Sequence, residues 1–218
     1  MTRTRSLFRL STLAGLVWAV ARAPSPAAAQ GTDIQRLTLD HYLDMESVIY
    51  AVTVATRELR QLTNRRGPDR QPVPSPDGRL IAYIAGDQHQ DTYRNQRIYV
   101  MNLDGSGSRL ISGGYDRQSG GLQWAPDGSG LYFNVSREGY RGLHFVSLEG
   151  GVTQLTEGKQ LLTMSSFSDD GTAVGTIASA HEPGDIYRFS LRNPTDATRL
   201  TEVNAGVLHG VTLGEVPR

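Results

Sequence analysis

Residues 75–85 read SPDGRLIAYIA, and the same pattern returns as APDGSGLYFNV at 125–135 and SDDGTAVGTIA at 168–178. Asp-Gly favours a tight turn, because Gly adopts a positive φ at no steric cost and Asp hydrogen-bonds the backbone that follows it. The run after each turn is rich in residues with high strand propensity. We therefore expect a structural role for the repeated turn residues, which are Asp77, Gly78, Asp127, Gly128, Asp170 and Gly171.

A second pattern alternates with the first. It consists of a strand with an aromatic residue, a turn, and a short strand that ends in Leu-Thr or a similar pair. It reads IYAVTVATRELRQLT (49–63), IYVMNLDGSGSRLIS (98–112), LHFVSLEGGVTQLT (143–156) and IYRFSLRNPTDATRLT (186–201). Both patterns return after roughly 45 residues, a spacing typical of one four-stranded propeller blade.

The shared period predicts an all-β chain, a partial or small β-propeller of about four blades of four antiparallel strands. The nearly continuous apolar runs indicate sheets covered on both faces, as blades are when each packs between two neighbours. The first blade is incomplete, because no Asp-Gly turn precedes Tyr50. Residues 33–39 (DIQRLTL) or 207–213 (VLHGVTL) could supply its missing strand.

The first 29 residues predict a secretory signal peptide. They combine four arginines and no acidic residue with an apolar stretch from Leu10 to Ala21 and the small-residue site Ala27-Ala28-Ala29. This is the composition of an export signal. An uncleaved membrane anchor is the alternative, but the apolar stretch falls short of the ~20 residues that span a bilayer.

The expected division of the chain follows from these features. It consists of a signal peptide (1–29), a lead-in (30–47), propeller blades (48–203) and a closing segment (204–218). We expect a secreted or periplasmic protein with no membrane span after cleavage of the signal.

The charge and the cysteine content argue against nucleic-acid binding and against cysteine-based chemistry. The chain has 22 basic and 22 acidic residues, and removal of the leader's four arginines leaves 18 basic residues. This mildly acidic body does not suit a nucleic-acid partner, which is bound through clustered Lys and Arg. The chain has no cysteine, which excludes disulfides, thiolate nucleophiles and zinc–cysteine sites.

The order of these segments resembles the N-terminal β-propeller of the prolyl oligopeptidase family of serine peptidases, in particular its dipeptidyl-peptidase and acylaminoacyl-peptidase branch. The resemblance covers about residues 58–215, and its more specific parts are the Asp116-Arg117 loop before LQWAPDG and the terminal LTEVNAG. The turn-and-strand motif alone also occurs in TolB-like propellers. Propellers of the family have seven or eight blades and precede an α/β-hydrolase domain. The resemblance thus implies a chain truncated before that domain, with 204–218 as the handover segment; a compact four-bladed ring is the alternative.

The resemblance implies the non-catalytic, substrate-gating portion of an exported serine peptidase that acts on short peptides. Its expected partner is a peptide substrate or a missing or separate α/β-hydrolase domain. The chain has no G-x-S-x-G string, with which such hydrolases hold their nucleophile, and Ser106 and Ser129 lie in DGSG turns. We therefore expect no catalytic residues here. A free-standing TolB-like periplasmic interaction propeller is the alternative function, and an inactive remnant is a third.

The longer, charged loops are the candidate binding elements. In an up-and-down blade, alternate connections emerge on opposite faces, so the strand 2–3 loops and the inter-blade loops gather on one face. These loops are TNRRGPDR, GDQHQDTYRNQ, SGGYDRQSGG, SREGYRG and SAHEPG. Loops held on a rigid scaffold are where binding function concentrates. The candidate substrate- or partner-facing residues are Arg66, Asp87, Asp116, Arg117, Arg137, Glu138 and His181.

No cofactor or metal is expected. Asp87, His89 and Asp91 alternate in one loop, but no second ligand cluster accompanies them, and calcium sites need six or more oxygen ligands. No Gly-rich string lies between a strand and a helix, so a phosphate-binding loop is not expected either.

Overall fold

The strands form four consecutive groups, which we describe as sheets although the last two are joined into one eight-stranded sheet. In the computed structural model the described residues are 47–65, 67–86, 96–115 and 117–214, with only the backbone described for 16–19. The first sheet has three strands, β1 (Leu16–Ala19), β2 (Tyr50–Thr53) and β3 (Glu58–Gln61), in that order. The second has four, β4 (Asp69–Pro74), β5 (Leu80–Ala85), β6 (Arg97–Asn102) and β7 (Arg109–Leu110).

The third and fourth sheets repeat the four-stranded antiparallel meander. The third contains β8 (Ser119–Trp124), β9 (Gly130–Arg137), β10 (Tyr140–Ser147) and β11 (Val152–Gln154). The fourth contains β12 (Leu161–Phe167), β13 (Thr172–Ala178), β14 (Asp185–Ser190) and β15 (Asn193–Arg199), and a short helix α1 (Ala205–Leu208) follows it. One parallel pairing of Arg141 with Leu161 links the third sheet to the fourth.

The second and third sheets pack against a neighbouring sheet on each face, because successive side chains of a strand point to opposite faces. In β5, Ile81 and Tyr83 belong to the core shared with the first sheet, whereas Ala82 and Ile84 belong to the core shared with the third. A third core joins Leu143 of the third sheet to residues of the fourth. The prediction of an all-β partial propeller with an incomplete first blade is confirmed, and we call the four sheets blades 1 to 4.

The repeated Leu-Thr ends have a structural reason. The hydroxyl residue just after the last strand of each blade accepts a hydrogen bond from a backbone N–H at or just before the strand that pairs with that last strand. We call this contact the hydroxyl latch. It joins Ile49 to Thr63 at 2.9 Å, Ile98 to Ser112 at 3.1 Å, Leu143 to Thr156 at 2.8 Å and Ile186 to Thr201 at 3.0 Å.

The aspartates of the repeated turns hold the turn backbone. Asp77 Oδ1 accepts hydrogen bonds from the Ser75 hydroxyl and from the backbone N–H of Arg79, and Asp170 does the same with Ser168 and Thr172. The serine hydroxyl, followed by the backbone N–H, holds the pKa of Asp77 below its usual value. These carboxylates therefore stay ionised and serve the turns.

Polar bonds cross the seams between blades. The Trp124 indole of blade 3 donates to the Val73 carbonyl of blade 2 at 2.9 Å. On the outer side, Arg60 of blade 1 donates to the Asp104 carbonyl of blade 2 at 2.8 Å, and Arg109 of blade 2 donates to the Leu148 carbonyl of blade 3 at 2.6 Å. Each arginine thus leaves an outer strand and reaches a strand 3–4 turn of the next blade.

Three local expectations were wrong or lie outside the described residues. The partner of β2 is β1, in register Leu16↔Thr53 to Ala19↔Tyr50, and not residues 207–213, whose first part belongs to α1. Residues 33–39 lie outside the described part of the chain. The segment SREGYRG is not a long loop, because β9 ends only at Arg137 and β10 already begins at Tyr140. Most residues of this segment, which we expected in a loop, instead pair between the two strands across a two-residue turn.

Candidate ligand-binding face

Two neighbouring cavities lie at the end of the blades where β9 turns into β10 and where the inter-blade loops begin. The larger, which we call the inter-blade cleft, measures about 420 Å³ and is lined by residues of blades 2, 3 and 4. The smaller, which we call the aromatic cavity, measures about 320 Å³ and lies mainly against blade 3 and the loops on either side of it. Both volumes fall in the range of small-ligand pockets.

Bulges in the first strands shape the inter-blade cleft. The first strands of blades 2, 3 and 4 shift register between Arg70 and Val73, between Gly120 and Gln123, and between Met164 and Ser166, respectively. A bulge re-aims side chains and bends the strand. At the first bulge Gln71 has a φ of 52°, a left-handed conformation that costs a non-glycine residue about 1–2 kcal/mol. Gln71 Oε1 accepts a hydrogen bond from the backbone N–H of Gly121 at 3.2 Å, which joins the bulges of blades 2 and 3.

Two arginines give the inter-blade cleft its charge. Arg141 donates to the Thr163 hydroxyl at 3.0 Å and to the Ser136 hydroxyl at 3.4 Å. With the Gln96 amide turned so that its oxygen faces Arg70, that oxygen accepts from the Arg70 guanidinium at 2.8 and 3.2 Å. All these partners are neutral, and no carboxylate is among the described residues that line the cleft. The lining is therefore net positive.

Charged loop residues surround the aromatic cavity. Arg117 comes from the loop between blades 2 and 3, and Arg137 and Glu138 come from the β9–β10 hairpin. Glu138 and Gly139 have φ values of 50° and 82°, as a two-residue type I′ turn requires. The Arg137 guanidinium contacts the Glu138 carboxylate at 3.0 Å, and both side chains are exposed, so the pair contributes little stability.

A buried histidine lies at the bottom of the aromatic cavity. His144 is 6% exposed, and its ring centroid is 5.7 Å from those of Tyr115 and Phe133. Its Nδ1 atom has no hydrogen-bond partner among the described residues. Burial lowers the pKa of His144, and the Gly142 carbonyl opposes this only in part. The imidazole is therefore neutral at pH 7, and the positive charge of the cavity comes from its arginines.

The structure brings together some of the predicted site residues. Arg117, Arg137 and Glu138 all line the aromatic cavity, and their contact with a substrate or partner stays a prediction. His181 lies elsewhere, where its Nε2 atom is 2.9 Å from the Gly214 carbonyl oxygen. Arg66, Asp87 and Asp116 lie outside the described residues, as do His89 and Asp91 of the loop considered as a metal site.

The described serines of the DGSG turns are bound to their own turns. Ser106 donates to Asp104 at 2.6 Å, and Ser129 donates to Asp127 at 2.7 Å. In the described part of the chain, no group of three or more His, Asp or Glu side chains is arranged to hold a metal ion. None of the described helices is long and apolar enough to cross a bilayer.

Comparison with known sequences gives a relative for most of the chain. It is 28% identical over 174 residues, or 78% of its length, to dipeptidyl-peptidase 5 of Porphyromonas gingivalis. The resemblance to the prolyl oligopeptidase family is confirmed. The matched part is 25% of the peptidase's own length, so this chain corresponds to about a quarter of that relative. No family model matches the chain.

Solved structures agree with this family on the fold. The acylaminoacyl peptidase of Pyrococcus horikoshii matches with a TM-score of 0.57 at 18% identity, over 76% of this chain and 24% of that one. The β-propeller domain of the Trilobed protease from Pyrococcus furiosus matches with 0.55 at 17% identity, over 72% of this chain and 46% of that one. TolB from Acinetobacter baumannii matches with 0.55 at 20% identity, over 71% and 37%.

Proposed function

We propose that this chain is the non-catalytic, substrate-gating propeller of an exported peptidase of the prolyl oligopeptidase type, acting on short peptides. The observation that carries the proposal is the 174-residue similarity to dipeptidyl-peptidase 5, which extends over blades whose loop end holds two cavities. A peptide substrate and an α/β-hydrolase domain are the proposed partners.

The geometry suits selection of small ligands. Blades packed face to face are rigid, and residues held at their loop ends stay in fixed positions. The inter-blade cleft offers amide and guanidinium donors, and the aromatic cavity offers rings beside charged groups. A short extended peptide has backbone groups that can bind in the inter-blade cleft and side chains that can bind in the aromatic cavity. A folded protein cannot enter cavities of about 420 and 320 Å³.

Binding without turnover tests the proposal. The purified full chain is titrated with N-acetylated tetrapeptides by isothermal calorimetry, and the same sample is incubated with chromogenic dipeptide amides. We expect measurable binding of at least one tetrapeptide and no release of chromophore. Heat-denatured chain serves as the control for non-specific binding. Absence of any peptide binding, or chromophore release that follows the protein through purification, would contradict the proposal.

Export is the part of the proposal that rests on the leader sequence. We propose that residues 1–29 direct secretion and are then removed. Mass spectrometry of the chain from the extracellular or periplasmic fraction should give a product that begins at Gln30. A full-length product confined to the cytoplasm would count against export while leaving the peptide-binding proposal intact.

A TolB-like interaction module is the second candidate function. TolB from Acinetobacter baumannii and a putative TolB from Agrobacterium tumefaciens match with TM-scores of 0.55 and 0.57. This function predicts a stable protein partner in a cross-linked periplasmic extract and no peptide binding in the calorimeter. The two functions therefore give opposite results in the calorimetric titration.

A further inference from the structure

We infer that the inter-blade cleft binds a carboxylate group of a peptide, through Arg70 of blade 2 and Arg141 of blade 3. The inference deepens the proposed function, since it takes a peptide as the ligand and names the chemical group that the propeller selects. It rests on three observations, namely the partners of the two arginines, the backbone contacts that position them and the charge of the lining.

The two guanidinium groups are held without being neutralised. Arg141 is fixed by the hydroxyls of Thr163 and Ser136, and Arg70 by the Gln96 amide. A guanidinium has five N–H donors, and these contacts use two on each arginine. The remaining donors have no partner among the described residues, so each arginine is oriented and keeps its charge.

The backbone around the arginines is fixed as well. Arg141 lies at the seam of blades 3 and 4, where its N–H donates to the Gln160 carbonyl at 2.9 Å beside the parallel pairing with Leu161. Arg70 precedes the bulged Gln71, whose side chain is bound to Gly121 of the next blade. An arrangement that is in place before binding loses less entropy when the ligand arrives.

The ligand chemistry follows from the donor set. Two guanidinium groups beside amides and hydroxyls, with no described carboxylate in the lining, favour an anion. Guanidinium matches the planar, two-oxygen geometry of a carboxylate. A peptide can supply this group from its C-terminus or from an Asp or Glu side chain, and both sources share the same recognition.

Three matched N-acetylated tetrapeptides distinguish the sources in calorimetric titrations of the full chain. The first has a free C-terminus and neutral side chains, the second has a C-terminal amide and one Glu, and the third has the same amide and Gln in place of Glu. We expect at least one charged peptide to bind about tenfold or more tightly than the neutral one, because a hydrogen bond to a charged group contributes about that much. The charged peptide with the advantage identifies the source.

Variants then locate the site. Arg141→Gln and Arg70→Gln should each reduce the advantage of the charged peptide about tenfold. Arg188→Gln is the matched control, since Arg188 is exposed on β14 and lines neither cavity, and it should leave the advantage unchanged. Circular dichroism and a thermal melt report whether each variant folds; if one does not, the other variant and the salt dependence of the wild-type advantage decide.

The failure of this inference is distinct from failure of the proposed function. Equal binding of all three peptides, or an advantage that Arg70→Gln and Arg141→Gln leave intact, would overturn carboxylate recognition in the cleft while peptide binding stands. Absence of binding by all three peptides would overturn both.

Discussion

The backbone N–H of Leu143 donates a hydrogen bond to the side-chain oxygen of Thr156 over 2.8 Å, with Thr156 only 1% exposed. Thr156 also returns its own backbone N–H to the Leu143 carbonyl. The outermost strand of blade 3 is thereby closed onto the strand beside it. Hydroxyl residues in the other blades make the same side-chain contact.

Removal of this latch should destabilise the chain. Thr156→Val keeps the shape of the side chain but leaves the buried Leu143 N–H without a partner, which costs about 1–3 kcal/mol. Urea denaturation should show the loss as a lower midpoint. Thr153→Val, at an exposed position of β11, is the control and should change the midpoint little. Equal midpoints for the two variants would show that the latch contributes nothing.

His144 should make stability depend on pH below neutrality. Its pKa is lowered in the folded chain by burial, so the unfolded chain binds more protons as the pH falls below about 6.5, the unperturbed value. Stability should therefore be full above that pH and decline as the pH decreases from it toward the folded-state pKa.

The His144→Phe variant isolates this effect. Phe keeps an aromatic ring between Tyr115 and Phe133 but cannot be protonated. Thermal melts from pH 7.5 to 5 should show a smaller decrease for the variant than for the wild type. His181→Phe, at an exposed site, should follow the wild type. Parallel curves for the wild type and His144→Phe would rule out His144 as the origin.

Asp185 should stabilise the end of blade 4 while it is ionised. Asp185 is 2% exposed, and its carboxylate accepts hydrogen bonds from the Thr201 hydroxyl, the Arg199 guanidinium and the Val203 N–H. The Thr201 hydroxyl and then Arg199 hold the pKa of Asp185 below its usual value, against the opposing effect of burial. Such a carboxylate stabilises the fold above its unfolded-state pKa, and the contribution is lost as the pH falls through the folded-state pKa.

Asp185→Asn should therefore melt lower than the wild type at pH 7, and the difference should close as the pH drops below 3.8, the ordinary value for Asp. Asp196→Asn, on the exposed part of β15, provides the comparison and should melt with the wild type at pH 7. A gap between Asp185→Asn and the wild type that is independent of pH would mean that packing, and not charge, gives Asp185 its role.

Gly130 should tolerate no side chain. A Cβ at this position would lie 2.2 Å from the Val146 carbonyl oxygen and 2.6 Å from the Phe145 ring. Gly130→Ala should therefore cost about 1–3 kcal/mol, the usual penalty of overpacking. At Gly114 a Cβ meets nothing within 4 Å, so Gly114→Ala should be nearly neutral in the same denaturation experiment. A neutral Gly130→Ala would show that β9 and β10 can separate at little cost.

The leader and blade 1 use the same residues, since β1 (Leu16–Ala19) lies within the proposed signal peptide. A chain that begins at Gln30 lacks the strand that pairs with Tyr50–Thr53. Hydrogen exchange in that chain should be faster at 50–53 than in the full chain. Amides of β5, which pair with β4 and β6 in both chains, serve as the internal control. Unchanged exchange at 50–53 would mean that other residues take the place of β1.

Local chemistry made the blades predictable from the sequence. Asp-Gly turns and alternating strands act within about ten residues, so they mark β5, β9 and β13 without knowledge of the rest of the chain. The partner of β2 could not be predicted in this way, because Leu16 and Thr53 are far apart in sequence. Strand pairing over such distances depends on the whole fold.

The candidate site was predictable only in part. Arg117, Arg137 and Glu138 were expected on one face, because alternate connections of a meander emerge at the same end, and they share a cavity. Arg70 and Arg141 were not predicted as site residues, since they come from two different blades. The cleft that they line depends on bulges, and no turn residue in the sequence indicates where those bulges lie. The left-handed Gln71 is an example: glutamine has no preference for that conformation, and a contact from the next blade holds it.

Three polar contacts between blades do not depend on the side chain that the neighbouring blade presents. Arg60, Arg109 and Trp124 all reach main-chain carbonyls, which every amino acid provides, while the latch stays within a single blade. A duplicated or deleted repeat would therefore keep these polar contacts at its new seams, whatever residues the new neighbours carry there. The polar part of each seam that these three contacts form is thus independent of the side chains that the neighbouring blade presents to it.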